Sequence, residues 1–420
     1  MIKQLTLTNW KSFSQATLYI DPLGILIGIN ASGKSNALDA FLFLYRITKG
    51  ASLTEALVGT TGLTGLRGGL EWVTLKGNQS FTLSIVISDN SDKTDYVYSI
   101  SASVHETRCE IKDESLKRQR YRQSNRGGKP YEIILFQTDA CQADSPSITA
   151  RLYNESKGSP RPSNRTHSIL NQLAQQTVRK EIQEGLDTVL SNIRNIFVLD
   201  PVPSNMRNFT PLSDQMQTDA ANIAGVIAAL PDHQQLEIES AVRKYIRHLP
   251  ERDIQRIWAE TVGRFKSDAI LYCDEDWPAH PDSPVHTVDS RGMSDGTLRF
   301  LAILTALLTR PPGSLLVIEE VDNGLHPSRS QLLVRMLREL GGKRGVDVLV
   351  TTHNPAMLDA LGPEMIPFIT VSHRDPISGH SCLTLLEEVR KLPKLLAMES
   401  IGQLSTSGQL EKVLSAQSGE

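Results

Sequence analysis

Gly24-Ile-Leu-Ile-Gly28-Ile-Asn30-Ala31-Ser32-Gly33-Lys34-Ser35-Asn36 is the stretch from which the rest of the chain can be read. Its first residues form an unbroken apolar run, the kind buried on both faces of a parallel sheet. From Gly28 to Ser35 it spells GxxxxGK[ST], and residues 36–45 continue as a helix-compatible run. Strand, loop and helix in that order are the context in which this pattern cradles phosphate. The glycines let successive backbone N–H groups curl around an anion without Cβ clashes, and the helix N-terminus adds partial positive charge. Lys34 would reach the β- and γ-phosphates of ATP, and the Ser35 hydroxyl would ligate Mg2+. Gly28, Asn30, Ala31, Ser32, Gly33, Lys34, Ser35 and Asn36 are the expected nucleotide contacts.

Far along the chain, Leu315-Leu-Val-Ile-Glu319-Glu320 is a hydrophobic strand ending in two carboxylates. Open α/β sheets bind ligands at the C-terminal ends of their strands, so these acids belong beside the phosphate loop. Glu319 would sit near the Mg2+, and Glu320 would orient or deprotonate the attacking water. Consecutive strand residues point opposite ways, so the two acids take different jobs. A further apolar strand, Val348-Leu-Val-Thr-Thr, delivers His353, whose imidazole would report the γ-phosphate. Met293-Ser294-Asp295-Gly296 opens another helix, with Ser294 and Asp295 as N-cap candidates and Gly296 permitting close backbone approach. One active site does not need two such cradles from one chain. The economical reading gives Ser294, Asp295 and Gly296 to the γ-phosphate held by a second subunit.

The overall numbers are compatible with this and exclude other classes. The chain has 420 residues, 40% hydrophobic and 22% charged, so it is neither disordered nor fibrous. Forty-four basic against 47 acidic residues leave −3, so no global positive field advertises a polyanion. Four cysteines without CxxC or metal-ligand spacing predict free thiols in a reducing cytoplasmic compartment. The N-terminus lacks the basic start and apolar run of a signal peptide, and no stretch reaches 18 uninterrupted apolar residues, which predicts no membrane association.

Residues 1–10 and 24–28 read as strands, 51–72 as irregular structure, and 80–88, 94–103, 108–112, 131–137 and 147–153 as an antiparallel β lobe. The Pro/Ser/Asn-rich segment 157–165 reads as a linker. Beyond it Ile182, Leu186, Val189, Leu190 and Ile193 form one helical stripe, and further helices are expected over 219–230 and 234–247. After a strand at 195–199, regular alternation resumes from 291: helix 296–308, strand 315–319, helix 328–340, strand 347–351, helix 355–361. The expected architecture is an α/β P-loop NTPase with a mixed sheet core formed by both chain ends. It comprises an N-terminal ATPase lobe at 1–155, a helical insertion at 156–280 and a C-terminal lobe at 281–420.

The combined motifs resemble the ABC-type ATPases of the RecF, SMC and OLD group. They are the loop from Gly28 to Ser35, Ser294-Asp-Gly-Thr-Leu-Arg299, the Glu319-Glu320 pair, Val321-Asp-Asn-Gly-Leu-His-Pro327 and Thr-Thr-His-Asn-Pro at 351–355. More narrowly the chain looks like the bacterial "AAA family ATPase" proteins often encoded in antiphage-defence or toxin-like operons. The likeness covers 1–50 and 285–362 and is diffuse between. It implies a head-like ATPase that dimerises head to tail, with two ATP molecules sandwiched between P-loop and signature. On that pattern Asp322 lies in the D-loop crossing the dimer interface and His353 is the switch histidine. Glu319 stands where many ABC proteins carry Asp, as in the OLD-like branch. Gln79 is the candidate for the Q-loop glutamine. No long coiled-coil arm is expected, and the 67 residues after His353 lack the carboxylate pattern of an OLD nuclease domain.

Two functions follow from the resemblance: a sensor or regulatory scaffold for a separately encoded effector, a nuclease or toxin, in antiphage defence, or a RecF-like DNA-repair ATPase. A transporter subunit is excluded because its signature follows the P-loop after about 100 residues in a domain near minimum size, whereas Lys34 and Ser294 are 260 apart. The one dense basic segment, Lys117 to Lys129, reads either as a nucleic-acid contact with Tyr121 stacking on a base, or as a solvated loop tip. Arg207 reads either as a structural ion-pair residue or as an interface arginine.

Overall fold

The computed structural model describes residues 1–89, 93–121, 131–142, 145–153, 158–246, 254–276, 285–326, 329–390 and 392–418. The chain opens with β1 (Ile2–Trp10), β2 (Phe13–Tyr19) and β3 (Leu23–Ile27), then α1 (Lys34–Thr48) and the short α2 (Leu53–Val58). A run of strands follows: β4 (Ser80–Ser88), β5 (Thr94–Val104), β6 (Cys109–Arg120), β7 (Tyr131–Thr138), β8 (Ser147–Leu152) and β9 (Ser159–Asn164). Then come α3 (Ile169–Ala174), α4 (Lys180–Arg194), β10 (Ile196–Leu199), β11 (Thr210–Pro211), α5 (Ile223–Ala229), α6 (Asp232–Ile246), β12 (Ile254–Val262), β13 (Asp268–Asp276) and β14 (Val285–Asp289). The last part carries α7 (Asp295–Thr309), β15 (Leu315–Ile318), α8 (Ser330–Arg344), β16 (Asp347–Thr352), α9 (Pro355–Leu361), β17 (Ile369–Arg374), β18 (Ser381–Leu385), α10 (Leu392–Leu396), α11 (Ile401–Thr406) and α12 (Gln409–Ser418).

The central sheet has the order β10-β15-β16-β3-β17-β18, parallel except for β18. Every residue of β3, β15 and β16 is buried, which is why these strands read as continuous apolar runs. One face packs on α7, α8 and α9 through Ile25, Ile27, Leu316, Ile318, Val348 and Val350. The opposite face, with Leu26, Val317 and Leu349, packs on α1. The far side of α1 meets an eight-stranded antiparallel sheet, β2-β1-β4-β5-β6-β7-β8-β9. Trp10, Phe43 and Phe81 lock that junction, with ring centroids 4.9 to 5.7 Å apart, and each such aromatic pair contributes about 0.5–1.5 kcal/mol beyond its buried area. Buried between two sheets, α1 is fixed at both its ends and faces.

The sequence reading needs correction in four places. Within 51–72, α2 is a regular helix, closed at its start by a capping box in which Ser52 and Glu55 satisfy each other's backbone N–H. Within the stretch read as a linker, Ser159–Asn164 is a strand: β9 pairs along β8 at the sheet's edge, where Pro160 and Pro162 need no outward N–H partner. β2 lay hidden between β1 and β3. The stretch read as helical, 156–280, also holds β9 to β13, and β12, β13 and β14 form part of a separate small sheet. β12 is largely solvated on both faces, so its alternation is faint.

Glu114 on β6 is fully buried and ties the two-sheet junction to α3. Its carboxylate accepts from Tyr98 Oη (3.0 Å), Ser168 Oγ (3.0 Å), Ile169 N (2.8 Å) and Leu170 N (2.7 Å). Burial wins over these bonds and lifts its pKa from 4.5 to about 7. A raised carboxyl pKa means that folding takes up a proton between those values, so this contribution to stability falls as pH climbs from 4.5 through about 7. In Glu114→Gln that slope should flatten, and stability should drop by about 1–3 kcal/mol because an amide N–H now faces a backbone donor. Urea unfolding of both proteins across pH 5 to 8 checks this; parallel curves would refute the assignment.

Candidate nucleotide site

The parallel register brings three strand ends to one edge. Thr352 pairs with Ile27 and Ile318 with Val350, so Gly28, Glu319 and His353 all leave the sheet on the same side. Gly28, at φ +144°, lies against β17, and a Cβ there would stand 2.2 Å from the Ser372 carbonyl oxygen. Gly33, at φ +119°, leaves a Cβ only 2.5 Å from Ser381 Oγ. Larger residues at either position would push the loop off the sheet. Lys34 Nζ folds back over the loop, donating to the carbonyls of Gly28 (2.5 Å) and Ile29 (3.1 Å). Burial draws the Lys34 ammonium below the usual lysine range against the attraction of Glu320 and Glu319.

A cleft of about 260 Å³ opens here, lined by Asn30, Ala31, Gly33, Lys34, Ser35, Asn36, Glu319, Glu320, Thr351 and Arg374. The expected loop residues and both acids therefore converge. Ser32 is instead buried behind the loop. Asn36 turns its amide to Ser12 Oγ (2.8 Å) and its carbonyl to Trp10 Nε1 (2.7 Å), anchoring α1 to the first hairpin. Ser35 Oγ donates to Glu319 Oε1, joining residues 284 apart. A hydroxyl and a carboxylate oxygen side by side are the hard donors that Mg2+ takes alongside phosphate oxygens and water, so Ser35 and Glu319 fit that ion. Arg374 donates from Nε to the Ala31 carbonyl (3.0 Å) and adds a cation to the cleft.

Glu320 sits at φ +47°, a left-handed conformation that costs a non-glycine residue about 1–3 kcal/mol. Its N–H donates to Thr351 Oγ1 (2.8 Å), which holds the turn. The His353 imidazole, about half exposed, places Nδ1 4.0 Å from Glu320 Oε1. Asp322 is turned inward rather than toward the cleft: it is buried, and hydrogen bonds from Thr352 and Asn354 tie it to the turn before α9, while burial pushes its carboxyl up. It braces the histidine-bearing turn within its own chain.

Ser294 caps α7, accepting from Thr297 N (3.1 Å), as its residue type predicts. The turn before it is held by Arg207, whose Nη1 donates to the carbonyls of Ser290 (2.9 Å), Arg291 (3.1 Å) and Met293 (2.7 Å), and whose Nη2 pairs with Asp295. Arg207 is thus structural. Gly296 packs on Gly324 and Arg329, with a Cβ position 2.9 Å from Arg329 Nη1 and 3.1 Å from the Gly324 carbonyl. Ser294, Asp295 and Gly296 line no part of the cleft formed by the P-loop of their own chain.

Several participants carried no sequence signal. Arg67, on the glycine-bearing segment after α2, donates to both Glu319 oxygens (3.1 and 3.2 Å), to Asp39 Oδ1 (3.0 Å) and to the Ser35 carbonyl (3.3 Å). Lys11 bonds Asp39 and the Arg67 carbonyl (2.8 Å). Asp39 lies one helical turn beyond Ser35, a spacing that could have flagged it. Gln79 does not approach the cleft; its carbonyl accepts from Val104 N, and it lines a separate hollow with His105 and Arg108. The residue leaving the strand beside β15 is Asp200. Of the basic segment 117–129, residues 122–129 lie outside those described. Within the rest, Lys117 pairs with Glu132 (2.9 Å) and Arg118 is buried, 3.8 Å from Glu181. Tyr121 is exposed. No helix among the described residues is long and apolar enough to cross a membrane, and the four cysteines are free.

A family model described as "AAA domain, putative AbiEii toxin, Type IV TA system" matches residues 24–359. Among curated proteins, ABC transporter G family member 28 of Arabidopsis thaliana is 37% identical over 75 residues, 18% of this chain and 6% of that protein. The chain thus spans only a small fraction of that relative. Similar solved structures include the SMC head domain from Thermotoga maritima (13% identity, 91% of this chain and 98% of that one, TM-score 0.42). Others are an SMC head bound to the C-terminal winged-helix domain of ScpA (14%, 91% and 97%, 0.48) and an SMC head with an extended coiled coil bound to the C-terminal domain of ScpA, derived from Pyrococcus furiosus (13%, 94% and 99%, 0.45).

Removing the Arg207 side chain should loosen the turn that presents Ser294. Arg207→Ala is expected to cost about 1–3 kcal/mol of stability, since three carbonyls, two of them in part-buried bonds, lose a charged donor, and to raise amide exchange over 290–297. Unchanged exchange in that segment would show that the turn does not depend on the arginine.

Proposed function

The chain belongs to the AAA-domain family of that description, and on this premise we propose that it binds and hydrolyses ATP with Mg2+ as a homodimer. The family's ATPase character and the convergence of P-loop and strand acids support the nucleotide part of this reading. The observation that carries the dimer is the incomplete cleft: one chain supplies Lys34, Ser35, Glu319 and Glu320, while Ser294 to Gly296 face elsewhere. Two chains related by a closed twofold would supply each cleft with the other's signature.

In this reading the 28–36 loop wraps the phosphates with backbone N–H groups, and Lys34 leaves the loop carbonyls for the β- and γ-phosphates. Ser35 and Glu319 would hold Mg2+, which when bound neutralises phosphate charge. Glu320 takes the proton of the attacking water. His353, 4.0 Å from Glu320, reads the γ-phosphate and transmits its loss to the turn braced by Asp322. Opening and closing of the dimer would gate a separately encoded effector, a nuclease or toxin, as a sensor or regulatory scaffold in antiphage defence. The family's toxin–antitoxin description supports that setting. A RecF-like role on DNA is the weaker reading, because Lys117 and Arg118 are already engaged within the chain.

Lys34→Ala is expected to abolish ATP binding in a fluorescent-nucleotide titration. Glu320→Gln should bind ATP but hydrolyse it about 100-fold or more slowly, and should accumulate as a dimer by light scattering. Hydrolysis by Glu320→Gln at the wild-type rate would sink the base assignment, and a monomer under every nucleotide condition would sink the sandwich.

A further inference from the structure

The guanidinium of Arg67 occupies the ground where the proposed metal donors meet. Its Nη1 and Nη2 take the two oxygens of Glu319, and Ser35 Oγ bonds the same Oε1 that Nη1 touches. Both Glu319 oxygens are thus engaged within the chain. The second partner of Arg67 is Asp39, which is 4% exposed and also held by Lys11. Lys11, Asp39, Arg67 and Glu319 thus form an alternating chain of charges that is neutral as a group. Introducing a divalent charge at Ser35 and Glu319 makes that group strongly positive, and Arg67 is the member able to leave. Its side chain is 54% exposed, whereas Lys11 is 5% exposed, so of the two cations Arg67 is the one with a path into water.

A place for it to go lies alongside. A cavity of about 690 Å³ is walled by residues 62–67, by α1 and by β10, and Arg67, Asp39 and Glu319 stand at one end. Asp200, at the end of β10, lines the same cavity. Among the described residues its carboxylate makes no hydrogen bond or ion pair. Partial burial and the nearby Glu319 hold the Asp200 carboxyl above its usual range, against the pull of Arg299 and Arg67. Gly68 and Gly69, at φ +83° and +50°, follow Arg67 and give the segment backbone freedom.

We propose that Arg67 is a positioning residue for the metal site: it holds Glu319 against Ser35, and moves to Asp200 when a divalent ion binds there. The inference rests on the nucleotide reading above and concerns how that site is regulated. Arg67 acts as a latch that the wrong charge cannot open. A nucleotide arriving without a divalent ion leaves Glu319 paired, so productive binding is coupled to the metal. The segment 62–69 moves with the latch, which carries the state of the site into the neighbouring cavity.

The test is a Mg2+ titration of fluorescent-ATP binding to wild type, Arg67→Ala, Arg67→Lys and Asp200→Asn, with amide exchange over 62–69 as a readout independent of turnover. Arg67→Ala should need several-fold less Mg2+ for half-saturation, because nothing must be displaced, and its 62–69 amides should exchange fast with or without ligand. Arg67→Lys, which can form only a point-charge contact, should fall between. Asp200→Asn should need more Mg2+ than wild type. In wild type, exchange over 62–69 should change on adding Mg2+ and ATP together but not ATP with EDTA. An equal or greater Mg2+ requirement in Arg67→Ala, or exchange in wild type that responds to ATP alone, would overturn the latch. Wild type that binds no ATP under any condition would instead overturn the nucleotide reading, and the latch would then stand or fall on whether Mg2+ alone alters exchange over 62–69 in wild type but not in Arg67→Ala.

Discussion

The Ser35 hydroxyl and the Glu319 carboxylate meet across 284 residues of sequence, and the architecture can be derived from what that contact requires. Closing so long a loop costs entropy, although the cost grows only slowly with length. It is offset by the wholly buried strands β3, β16 and β15, which lie side by side and in parallel. Parallel pairing needs crossovers, and α8 and the rest of the intervening chain supply them. Both faces of the sheet must then be covered, by α1 on one side and α7 to α9 on the other. The eight-stranded sheet and the Trp10, Phe43 and Phe81 cluster hold α1 in place from outside.

The same geometry explains how a chain with net charge −3 can hold a polyphosphate. On the proposed reading the cleft would use oriented backbone N–H groups and a few cations, Lys34 and Arg374 at the loop and Lys11 and Arg67 beneath it; Lys11 and Arg67 pair with Asp39, Arg67 also with Glu319, and Lys34 is attracted by Glu320 and Glu319. Fields of this kind act within a few ångströms and are invisible in a whole-chain charge count. Asp39 and Lys11 are paired in the interior, whereas the Arg67 side chain, bonded to Asp39 and Glu319, is 54% exposed.

The turn that presents Ser294 is held at several points. Arg207 spans three carbonyls and Asp295, and Gly296 is pressed against Gly324 and Arg329. The segment carrying Gly324 follows directly on Glu320 and on Asp322, which is itself bonded to the turn before His353. In the proposed dimer, a ligand that engaged Ser294 to Gly296 of one chain would press, through packed backbone, on the acid and histidine of that chain's own cleft.

What could be read directly from the sequence was whatever a residue's own neighbours decide. The glycines and lysine of the 28–35 loop, the apolar strand before it, Ser294 as an N-cap, and the buried strands ending at Glu319 and His353 are all local patterns. The strands from 80 to 153 were legible because one face alternates. β9 hid behind its prolines, β12 behind solvated faces, and α2 within glycines and threonines. Arg67, Lys11 and Arg374 could not be identified from sequence, since any of them alone reads as an ordinary surface charge, and for Arg207 the sequence left a structural and an interface role open. Only the tertiary structure decided their partners, because the parallel register of β3, β15 and β16 and the sandwiching of α1 bring distant segments within hydrogen-bond distance, and no local pattern encodes that meeting.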